Sequence, residues 1–376
     1  MVDEINVVII GAGVIGLAVA AEVASRGHGL YVVEGNKTFG KETSSRGSGV
    51  IHAGIYYPGG SLKAKTCVEG SAMVYEPCEK HGIGFKRLGK LVVATTEGEV
   101  ERLEELLDRG RDNGVRGLRM LPQGEIKGME PYIQAVAALL SPSTGIVDSY
   151  SLMKYFLREA EGKGANIVYK SKVTEIEKVP GGYRLIVQDD SGAFSFKTRI
   201  VVNCAGLNSD AVAELAGVNI LEAGYKLHYC KGEYFRVANG KNKLIKRLVY
   251  PAPHPEDAGL GIHVTLDLEG QMYLGPSAQY IDEINYGVDE SGKLAFHNAV
   301  KGFLPFVDYE DLEPHMAGIR PKLQGPGEDF KDFVIKHECD RGLPGFINLI
   351  GIESPGFTSC PAIARLVGTI VDEILN

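Results

Sequence analysis

Residues 5–34 read INVVIIGAGVIGLAVAAEVASRGHGLYVVE, and this stretch decides how the chain begins to fold. The continuous apolar run Val7–Ile10 is typical of a strand that is buried on both faces of a parallel sheet. An alanine-rich helical pattern over Leu17–Ser25 ends near Gly27, which suits the C-terminus of a helix. A second apolar run, Leu30–Val33, follows. The order of strand, glycine turn, helix and strand predicts a βαβ unit.

Three glycines in this unit, Gly11, Gly13 and Gly16, have the spacing GxGxxG. The first suits a tight turn, the second lets the backbone approach a pyrophosphate, and the third lets helix and strand pack closely. The helix N-terminus would face the phosphates, and Glu34 can accept a hydrogen bond from a ribose 2′-hydroxyl. A glycine turn that binds nothing is the alternative, but the whole pattern favours a dinucleotide. Glu34 disfavours a 2′-phosphate, and therefore NADP.

The motif by itself does not separate NAD from FAD. The chain has one copy of it, close to the N-terminus, whereas enzymes that use both FAD and NAD(P)H usually carry two such folds. A single N-terminal copy favours FAD. Motifs further along the chain also bear on the choice between NAD and FAD.

Composition limits the class of protein. A chain of 376 residues is too long for one compact core, so we expect two domains. A formal net charge of −8 argues against a nucleic-acid-binding face. None of the six cysteines forms a CxxC or has metal-ligand spacing, which predicts reduced thiols, a cytoplasmic protein and no metal site. We expect no signal peptide and no membrane span.

Helix and strand patterns alternate along the chain. We predict helices at 62–81 and 97–114, a helix within 145–167, and strands at 89–95, 166–189 and 194–202; the acidic helix at 97–114 reads as a solvated face. The middle section, 221–319, is rich in strands. The C-terminal stretch FINLIGIESPGFTSCPAIARLVGTIVDEIL returns to a strand, a glycine loop and a long helix. This order predicts a nucleotide-binding domain that is built from separated segments.

Several stretches together resemble one family. GAGVIGLAVA, SSRGSGVIHAGIYYPGGSLKAKTCVEG, NCAGLNSD, KGEYF, YLGPSA, GIRPKL and GIESPGFTSCPAIARLVG occur in an order similar to that of the D-amino-acid-oxidase-like flavoproteins. IHAGIYYPGGSLKA is most similar to the L-2-hydroxyglutarate dehydrogenases and oxidases within that group. The resemblance covers essentially the whole chain.

The resemblance implies an α/β fold, α+β overall, with a Rossmann-like FAD-binding domain and an inserted antiparallel-sheet substrate domain. The FAD-binding domain would comprise 1–85, 145–220 and 320–376. The substrate domain would comprise 86–144 and 221–319.

The resemblance also implies which residues hold FAD. In addition to the three glycines and Glu34, the expected cofactor-binding residues are Ser44, Ser45, Arg46, Val173 (through its backbone), Ala205, Gly206, Gly351, Gly356, Phe357 and Thr358. Thr358 or Ser359 would cap the C-terminal helix, with Pro361 in its first turn. The positive end of that helix would point at the flavin and stabilise the reduced ring.

Two histidines are candidates for a catalytic base. Oxidising an alcohol removes a hydride from carbon and a proton from the hydroxyl, and histidine titrates in a useful range. In the family's arrangement His52 would lie at the reacting edge of the flavin, and His263 is the rival base. Either could be only a structural histidine. A base favours a hydroxy acid over an amine, which needs no strong base.

Arg320 matches the arginine that binds the substrate carboxylate in the family. A guanidinium can bind a carboxylate through two parallel hydrogen bonds. A structural salt bridge is the alternative. A dicarboxylate would need a second donor, for which Lys231, Lys322, Tyr56, Tyr57 and Tyr250 are open candidates. The resemblance thus implies FAD-dependent oxidation of an L-2-hydroxy acid, foremost L-2-hydroxyglutarate to 2-oxoglutarate.

Alternatives on the same fold are an amino-acid or glycine oxidase and a glycerol-3-phosphate dehydrogenase. A further alternative is a flavin-binding module that transfers electrons without a substrate of its own. The electron acceptor would be oxygen or a membrane quinone, and a quinone would require a peripheral contact with the inner face of the membrane.

Overall fold

The computed structural model describes residues 5–253 and 260–376. The chain divides into two compact units. The first comprises Met1–Ser45, Ser149–His228 and Pro321–Asn376, and the second comprises Arg46–Asp148 and Tyr229–Arg320. The α/β fold class is confirmed.

Strands account for most elements of the described chain. They are β1 Ile5–Ile10, β2 Leu30–Val33, β3 Val50–Ile51, β4 Phe85–Lys86, β5 Lys90–Ala94, β6 Arg119–Pro122, β7 Ala137–Ser141, β8 Gly145–Val147, β9 Asn166–Val168, β10 Lys172–Val179, β11 Gly182–Asp189, β12 Gly192–Asn203, β13 His228–Val237, β14 Leu248–Pro251, β15 His263–Leu266, β16 Met272–Gly275, β17 Gln279–Ile281, β18 Leu312–Lys322, β19 Val334–His337 and β20 Phe346–Ile350.

The α-helices of the same residues vary from one turn to five. They are α1 Val14–Ser25, α2 Leu62–His81, α3 Val100–Asp112, α4 Gln123–Met129, α5 Ser149–Gly162, α6 Ser209–Leu215, α7 Ile220–Ala223, α8 Lys293–Val300 and α9 Gly356–Leu375.

The first unit is built on a parallel sheet with the strand order β9-β2-β1-β12-β20. In chain order these are the third, second, first, fourth and fifth parallel strands, which is the order of a doubly wound dinucleotide-binding fold. Val7, Val8 and Ile9 are fully buried because both faces of β1 are covered, and α1 packs against α5 and α9. The predicted βαβ unit is confirmed.

The second unit holds a nine-stranded sheet in which β17-β13-β16-β15-β14-β5-β7-β6 lie side by side and β18 pairs with β13. β5 and β14 run parallel, and the other pairs of described register are antiparallel. Leu91, Val249, Val264 and Leu274 pair in one row across four strands and belong to the buried core. Strand residues alternate between faces, so Lys90, Tyr250 and His263 project from the opposite face.

The predicted helix at 62–81 is confirmed as α2, and the predicted strand at 89–95 as β5. The acidic helix α3 is exposed along its charged side, but Leu103, Leu106 and Leu107 are buried, so it also covers the core. Among the described residues of the strand-rich middle section, the pattern did not predict α8 or the short α7, which overlaps the start of the section.

The expected caps of the last helix are wrong. The helix α9 begins at Gly356, with Pro355 at the cap position and no side-chain cap. The backbone N–H of Ser359 donates to the carbonyl of Pro355 at 2.9 Å, so the first helical turn already encloses Thr358 and Ser359. Pro361 lies inside the helix rather than in its first turn.

The division of the chain differs from the predicted domain boundaries in four places. Residues 221–228 group with the first unit and Arg320 with the second. Residues 46–85 and 145–148 also group with the second unit. The reason is a small three-stranded sheet, β3-β8-β4, that ties Val50 to Ile146 and Phe85 to Val147. The segment that carries His52 is therefore anchored in the second unit.

Candidate active site

In the first unit, the glycine turn lies at a switch point of the parallel sheet. Gly11 directly follows β1 with φ at 105°, and the loop Cys204–Gly206 directly follows the neighbouring strand β12. The chain leaves β1 toward β2 on one side, while β12 lies on the other side. Loops diverge at such a point, and ligands bind in the crevice at the carboxyl ends of the strands.

Side chains on two of the motif glycines would obstruct this loop. A Cβ on Gly16 would lie 1.9 Å from the carbonyl oxygen of Gly11, and a Cβ on Gly11 would lie 2.6 Å from that of Cys204. A Cβ on Gly13 would meet only the Oγ of Ser44, at 3.1 Å. Gly11 and Gly16 therefore serve the turn and the close packing, whereas Gly13 keeps the loop surface open. This geometry fits a bound pyrophosphate.

Glu34 lies at the carboxyl end of β2 and is nearly buried. One carboxylate oxygen accepts the N–H of Ala12 at 2.7 Å, and the other accepts the N–H and side-chain amide of Asn36 at 2.7 and 2.9 Å. A carboxylate offers about four acceptor positions, so a ribose hydroxyl still finds one. Glu34 thus also braces the glycine loop, a role that the motif does not predict.

Ser44 completes the N-terminus of α1. Gly13 occupies the cap position without a side chain, and the Oγ of Ser44 accepts the N–H of Val14 at 3.0 Å. Ser45 lies in the same short turn, where its Oγ donates to the carbonyl of Glu42 at 3.2 Å. This places Ser44 at the end of a helix that attracts phosphate.

The other expected cofactor residues of this unit lie at strand ends or irregularities. Val173 pairs with Val187 just before a bulge in the β10–β11 ladder, which interrupts regular pairing there. The N–H of Ala205 donates to the side-chain oxygen of Asn203 at 3.2 Å, and Gly206 has φ at 54°.

The start of α9 offers a second close backbone surface. Gly351 has φ at 69°, and a Cβ there would lie 2.6 Å from the Cγ of Leu323; on Gly356 it would lie 2.7 Å from Ile352. Thr358 is fully buried. The buried Oγ of Ser359 has no hydrogen-bond partner within the described chain. A long helix N-terminus with an unsatisfied hydroxyl fits a polar ligand edge, as a flavin would supply.

In the second unit, a buried lysine occupies the first position of β5. Lys90 is fully buried, and its Nζ lies 4.5 Å from the ring centroids of both Tyr56 and Tyr250. The Nζ of Lys90 and the hydroxyls of both tyrosines are buried without a hydrogen-bond partner among residues 5–253 and 260–376. Buried donors of this kind are rare in proteins, so this group is a candidate ligand site.

His263 is fixed beside this lysine. Its Nδ1 lies 2.7 Å from the carbonyl oxygen of Gly261, and its ring stacks on Tyr250 with 3.6 Å between centroids. A carbonyl only accepts, so Nδ1 carries the proton and Nε2 keeps its lone pair in the neutral ring. The ring is thus held in a tautomer that can accept a proton at Nε2.

His52 follows β3 directly, and its carbonyl accepts a weak hydrogen bond from Cys67 Sγ at 3.6 Å. The Nδ1 atom of its ring is buried. Burial raises the pKa of the Cys67 thiol to about 12, so this cysteine remains protonated and is no nucleophile.

Burial keeps both imidazoles neutral. It lowers the pKa of His52 to about 3, with further lowering by Lys90 and His263. It lowers the pKa of His263 to about 3 as well, with Lys90 and Arg320 adding to the effect. Burial also lowers the pKa of Lys90 to about 7. No carboxylate of the described chain is among the causes of these shifts. Arg320 and the partly protonated Lys90 therefore give the cluster a positive charge without a counter-charge.

Arg320 lies on β18 and donates from Nη2 to the carbonyl of Ser277. A Cβ on Gly232 would lie 2.6 Å from that Nη2, so the glycine makes room for the guanidinium. Tyr234 is buried beside it, and burial raises the pKa of its hydroxyl. Arg320 acts electrostatically on His263, and His263 acts on His52. The structure thus brings these three predicted residues together.

The predicted substrate residues Lys231 and Tyr57 are placed differently. Lys231 forms a buried ion pair with Glu233 at 2.7 Å. Lys231 and Tyr234 are three residues apart on β13, so their side chains project from opposite faces of the sheet. Tyr57 is partly exposed, and its carbonyl accepts from the side chain of Asn113 at 2.9 Å. Lys322, the other lysine considered, pairs with Glu353 in the first unit.

Arg46, expected at the cofactor, has its guanidinium carbon 3.8 Å from the ring centroid of Tyr286. Its Nε is buried without a hydrogen-bond partner in the part of the chain that the structure describes.

Sequence reasoning did not include Lys90 among the candidates. The signal was present, because the charged residue opens the otherwise apolar strand KLVVA, which is buried throughout. A lysine in a fully buried strand needs a partner or a ligand.

Two kinds of site are absent from the described residues. No group of three or more His, Cys, Asp and Glu side chains is arranged to hold a metal ion. Within residues 5–253 and 260–376, no helix combines the length and apolar character required to cross a membrane.

The doubly wound sheet and its glycine loop define a dinucleotide-dependent protein, and sequence comparison places it in a family. Residues 6–369 match the family described as FAD dependent oxidoreductase, and the chain belongs to that family. It is therefore an FAD-dependent oxidoreductase.

Among its relatives, L-2-hydroxyglutarate dehydrogenase of Arabidopsis thaliana mitochondria is 38% identical over 96% of this chain and 82% of the relative. The enzyme of that name from Indibacter alkaliphilus is 31% identical over 97% of this chain and 98% of its own length. Among solved structures, the FAD-bound L-alpha-glycerophosphate oxidase of Mycoplasma pneumoniae is 27% identical with a TM-score of 0.86, covering 98% of this chain and 94% of that one.

Proposed function

We propose that this protein oxidises L-2-hydroxyglutarate to 2-oxoglutarate. The observation that carries the proposal is the cationic cluster of the second unit, where Lys90 and Arg320 accompany two neutral imidazoles without a carboxylate. Such a cluster suits an anionic substrate whose hydroxyl must lose a proton. The relatives that bear the name L-2-hydroxyglutarate dehydrogenase support the choice of substrate.

The residues of the first unit that would hold FAD follow from the fit of the switch-point loops. Gly11, Gly13, Gly16 and Ser44 would take the pyrophosphate at the N-terminus of α1, and Glu34 would take the adenosine ribose. The remaining expected contacts are Ser45, Arg46, Val173, Ala205, Gly206, Gly351, Gly356, Phe357 and Thr358. The N-terminus of α9 would face the flavin.

The reaction separates a hydride and a proton. When bound, FAD supplies a hydride acceptor for the hydrogen on C2 of the substrate. The proton of the C2 hydroxyl goes to His52 or His263, and the C2–O bond becomes a carbonyl. Both imidazoles are neutral and offer a ring-nitrogen lone pair, but a pKa of about 3 makes each a weak base until an anionic substrate raises that pKa.

Arg320 would bind the C1 carboxylate and so fix C2 relative to the base. Its Nη2 is already oriented by the carbonyl of Ser277, which leaves the other donors of the guanidinium for a carboxylate. Binding of a carboxylate would offset the positive charge near His263 and favour protonation of the base during the reaction.

Glycerol 3-phosphate is the second candidate substrate. It also joins an anionic group to a hydroxyl-bearing carbon, and the 27% identity to the Mycoplasma pneumoniae oxidase favours it.

Reoxidation of the reduced flavin needs an electron acceptor, for which oxygen and a membrane quinone are both proposed.

Turnover of a substrate panel with an artificial electron acceptor tests the proposal. The panel comprises L- and D-2-hydroxyglutarate, glycerol 3-phosphate, glycine and D-alanine. We expect the largest kcat/KM with L-2-hydroxyglutarate. A larger value for glycerol 3-phosphate or for an amine, with none for L-2-hydroxyglutarate, would refute it.

A further inference from the structure

Lys90 differs from Lys231 and Lys322, two buried lysines that each form an ion pair with a glutamate. Lys231 lies 2.7 Å from Glu233 and Lys322 lies 3.6 Å from Glu353. The Nζ of Lys90 has no hydrogen-bond partner in residues 5–253 and 260–376, although the side chain is fully buried. Burial without an acidic partner lowers the pKa of this amine to about 7, and an anion bound beside it would favour the charged ammonium.

The surroundings of Lys90 favour an anion that accepts several hydrogen bonds. Its Nζ lies 4.5 Å from the ring centroids of Tyr56 and Tyr250, which partly offsets the loss of hydration through cation–π contacts. The two tyrosine hydroxyls are also buried without a partner in the described chain. A carboxylate has enough acceptor positions for all three donors.

Strand pairing places Lys90 and Tyr250 on the same face of the sheet as His263. Lys90 pairs with Leu248 and Val92 pairs with Tyr250 across β5 and β14, so Lys90 and Tyr250 share one face. Tyr250 in turn stacks on His263. Lys90 on β5 and Arg320 on β18 both lower the pKa of His263. Positive charges from two different strands therefore act on this imidazole.

We infer that the ammonium of Lys90, between the rings of Tyr56 and Tyr250, binds the second carboxylate of a dicarboxylate substrate whose first carboxylate is held by Arg320. The inference rests on the proposed function and adds the residue that distinguishes a dicarboxylate from a monocarboxylate. In L-2-hydroxyglutarate the hydroxyl adjoins the first carboxylate, so His263 or His52 meets the hydroxyl while Lys90 meets the distal end. Lys90 takes no part in bond breaking.

The experiment compares two substrates in two variants. L-2-hydroxyvalerate has the same carbon chain as L-2-hydroxyglutarate but lacks the distal carboxylate. Lys90→Met removes the charge with little change in volume, and Lys86→Met removes the charge of an exposed lysine four residues earlier as the control. Steady-state kcat and KM are measured with FAD-loaded protein for both substrates.

We expect Lys90→Met to lower kcat/KM for L-2-hydroxyglutarate about 10- to 100-fold, mainly through KM, as for loss of a charged hydrogen bond. The value for L-2-hydroxyvalerate, and all values of Lys86→Met, should change by no more than about twofold. Dissociation constants of 2-oxoglutarate and 2-oxovalerate, from the flavin spectrum, give the same comparison without turnover. There only the dicarboxylate should bind more weakly.

Equal losses for both substrates would overturn the inference, because they would indicate a role in chemistry or folding. Unchanged kinetics with the dicarboxylate would overturn it too. If Lys90→Met does not fold, Lys90→Gln provides the same comparison with a polar side chain. If wild-type protein does not oxidise L-2-hydroxyglutarate, the proposed function itself fails, and that result is visible before any variant is compared.

Discussion

At the scale of single residues, the second unit keeps two imidazoles neutral in a cationic setting. His263 is fixed through Nδ1 by the carbonyl of Gly261 and by stacking on Tyr250. Burial, together with the charges of Lys90 and Arg320, disfavours a further positive charge on its ring. A base that is neutral before substrate binds is ready to take a hydroxyl proton.

Removal of the base should slow flavin reduction. We expect His263→Asn or His52→Asn to lower the rate constant of anaerobic flavin reduction by about 10²- to 10⁴-fold, the usual contribution of general base catalysis. Stopped-flow mixing with saturating substrate measures it. His81→Asn, at an exposed position, is the control. If neither site variant loses at least about 100-fold, the assignment of an imidazole base is wrong.

The same neutral imidazoles predict acid sensitivity. Between pH 6.5 and about 3 the unfolded chain protonates His263 while the folded protein does not, so the unfolded state binds more protons. Stability therefore falls as the pH falls through this window, by up to about 1.4 kcal/mol per pH unit for each such histidine. Lys90, Arg320, Tyr250 and His52 are the charged and titratable groups that act on or contact this ring.

Urea unfolding of wild type and His263→Asn between pH 4 and 6.5 measures this effect. The difference in unfolding free energy between the two proteins should change in favour of the variant as the pH falls. A difference that is independent of pH would show that His263 titrates normally in the folded protein.

At the scale of elements, the glycine loop depends on two close backbone approaches. Gly16→Ala would place a Cβ 1.9 Å from the carbonyl oxygen of Gly11, whereas Gly29 has open space around it and no positive φ. We expect Gly16→Ala to be purified with little or no FAD, because β1 and α1 cannot keep their packing. Gly29→Ala should bind FAD normally.

The ratio of flavin to protein absorbance, with circular dichroism as a check of folding, measures both variants. A folded Gly16→Ala protein with full FAD content would contradict the role of this loop.

Sequence patterns predicted the helices and strands whose formation depends on nearby residues. The buried strand β1, the capped helix α2 and the helix–strand order of both chain ends are read from apolar periods and glycines. The boundary at residues 46–85 was not predictable, because it depends on the long-range pairing of β3 with β8. The apolar strand KLVVA does mark Lys90 as an unusual charge, but its grouping with Tyr56 and Tyr250 was not predictable, because these residues come from distant parts of the chain.

At the scale of the whole molecule, each unit supplies one requirement of the reaction. The first has the sheet order and loops that fit a dinucleotide, and the second holds the cationic cluster with its imidazoles. A flavin module without its own substrate would have no use for Lys90, Tyr56 and Tyr250, whose buried donors have no hydrogen-bond partners in the described residues. This cluster favours an enzyme over such a module.

Anaerobic titration of the FAD-loaded protein tests the central claim most directly. L-2-hydroxyglutarate is added without an electron acceptor, the visible flavin band is followed, and the D enantiomer serves as the control. We predict that only the L enantiomer bleaches the band, with 2-oxoglutarate formed in proportion to the flavin reduced. A band that dithionite bleaches but that saturating L-2-hydroxyglutarate leaves unchanged would contradict the account.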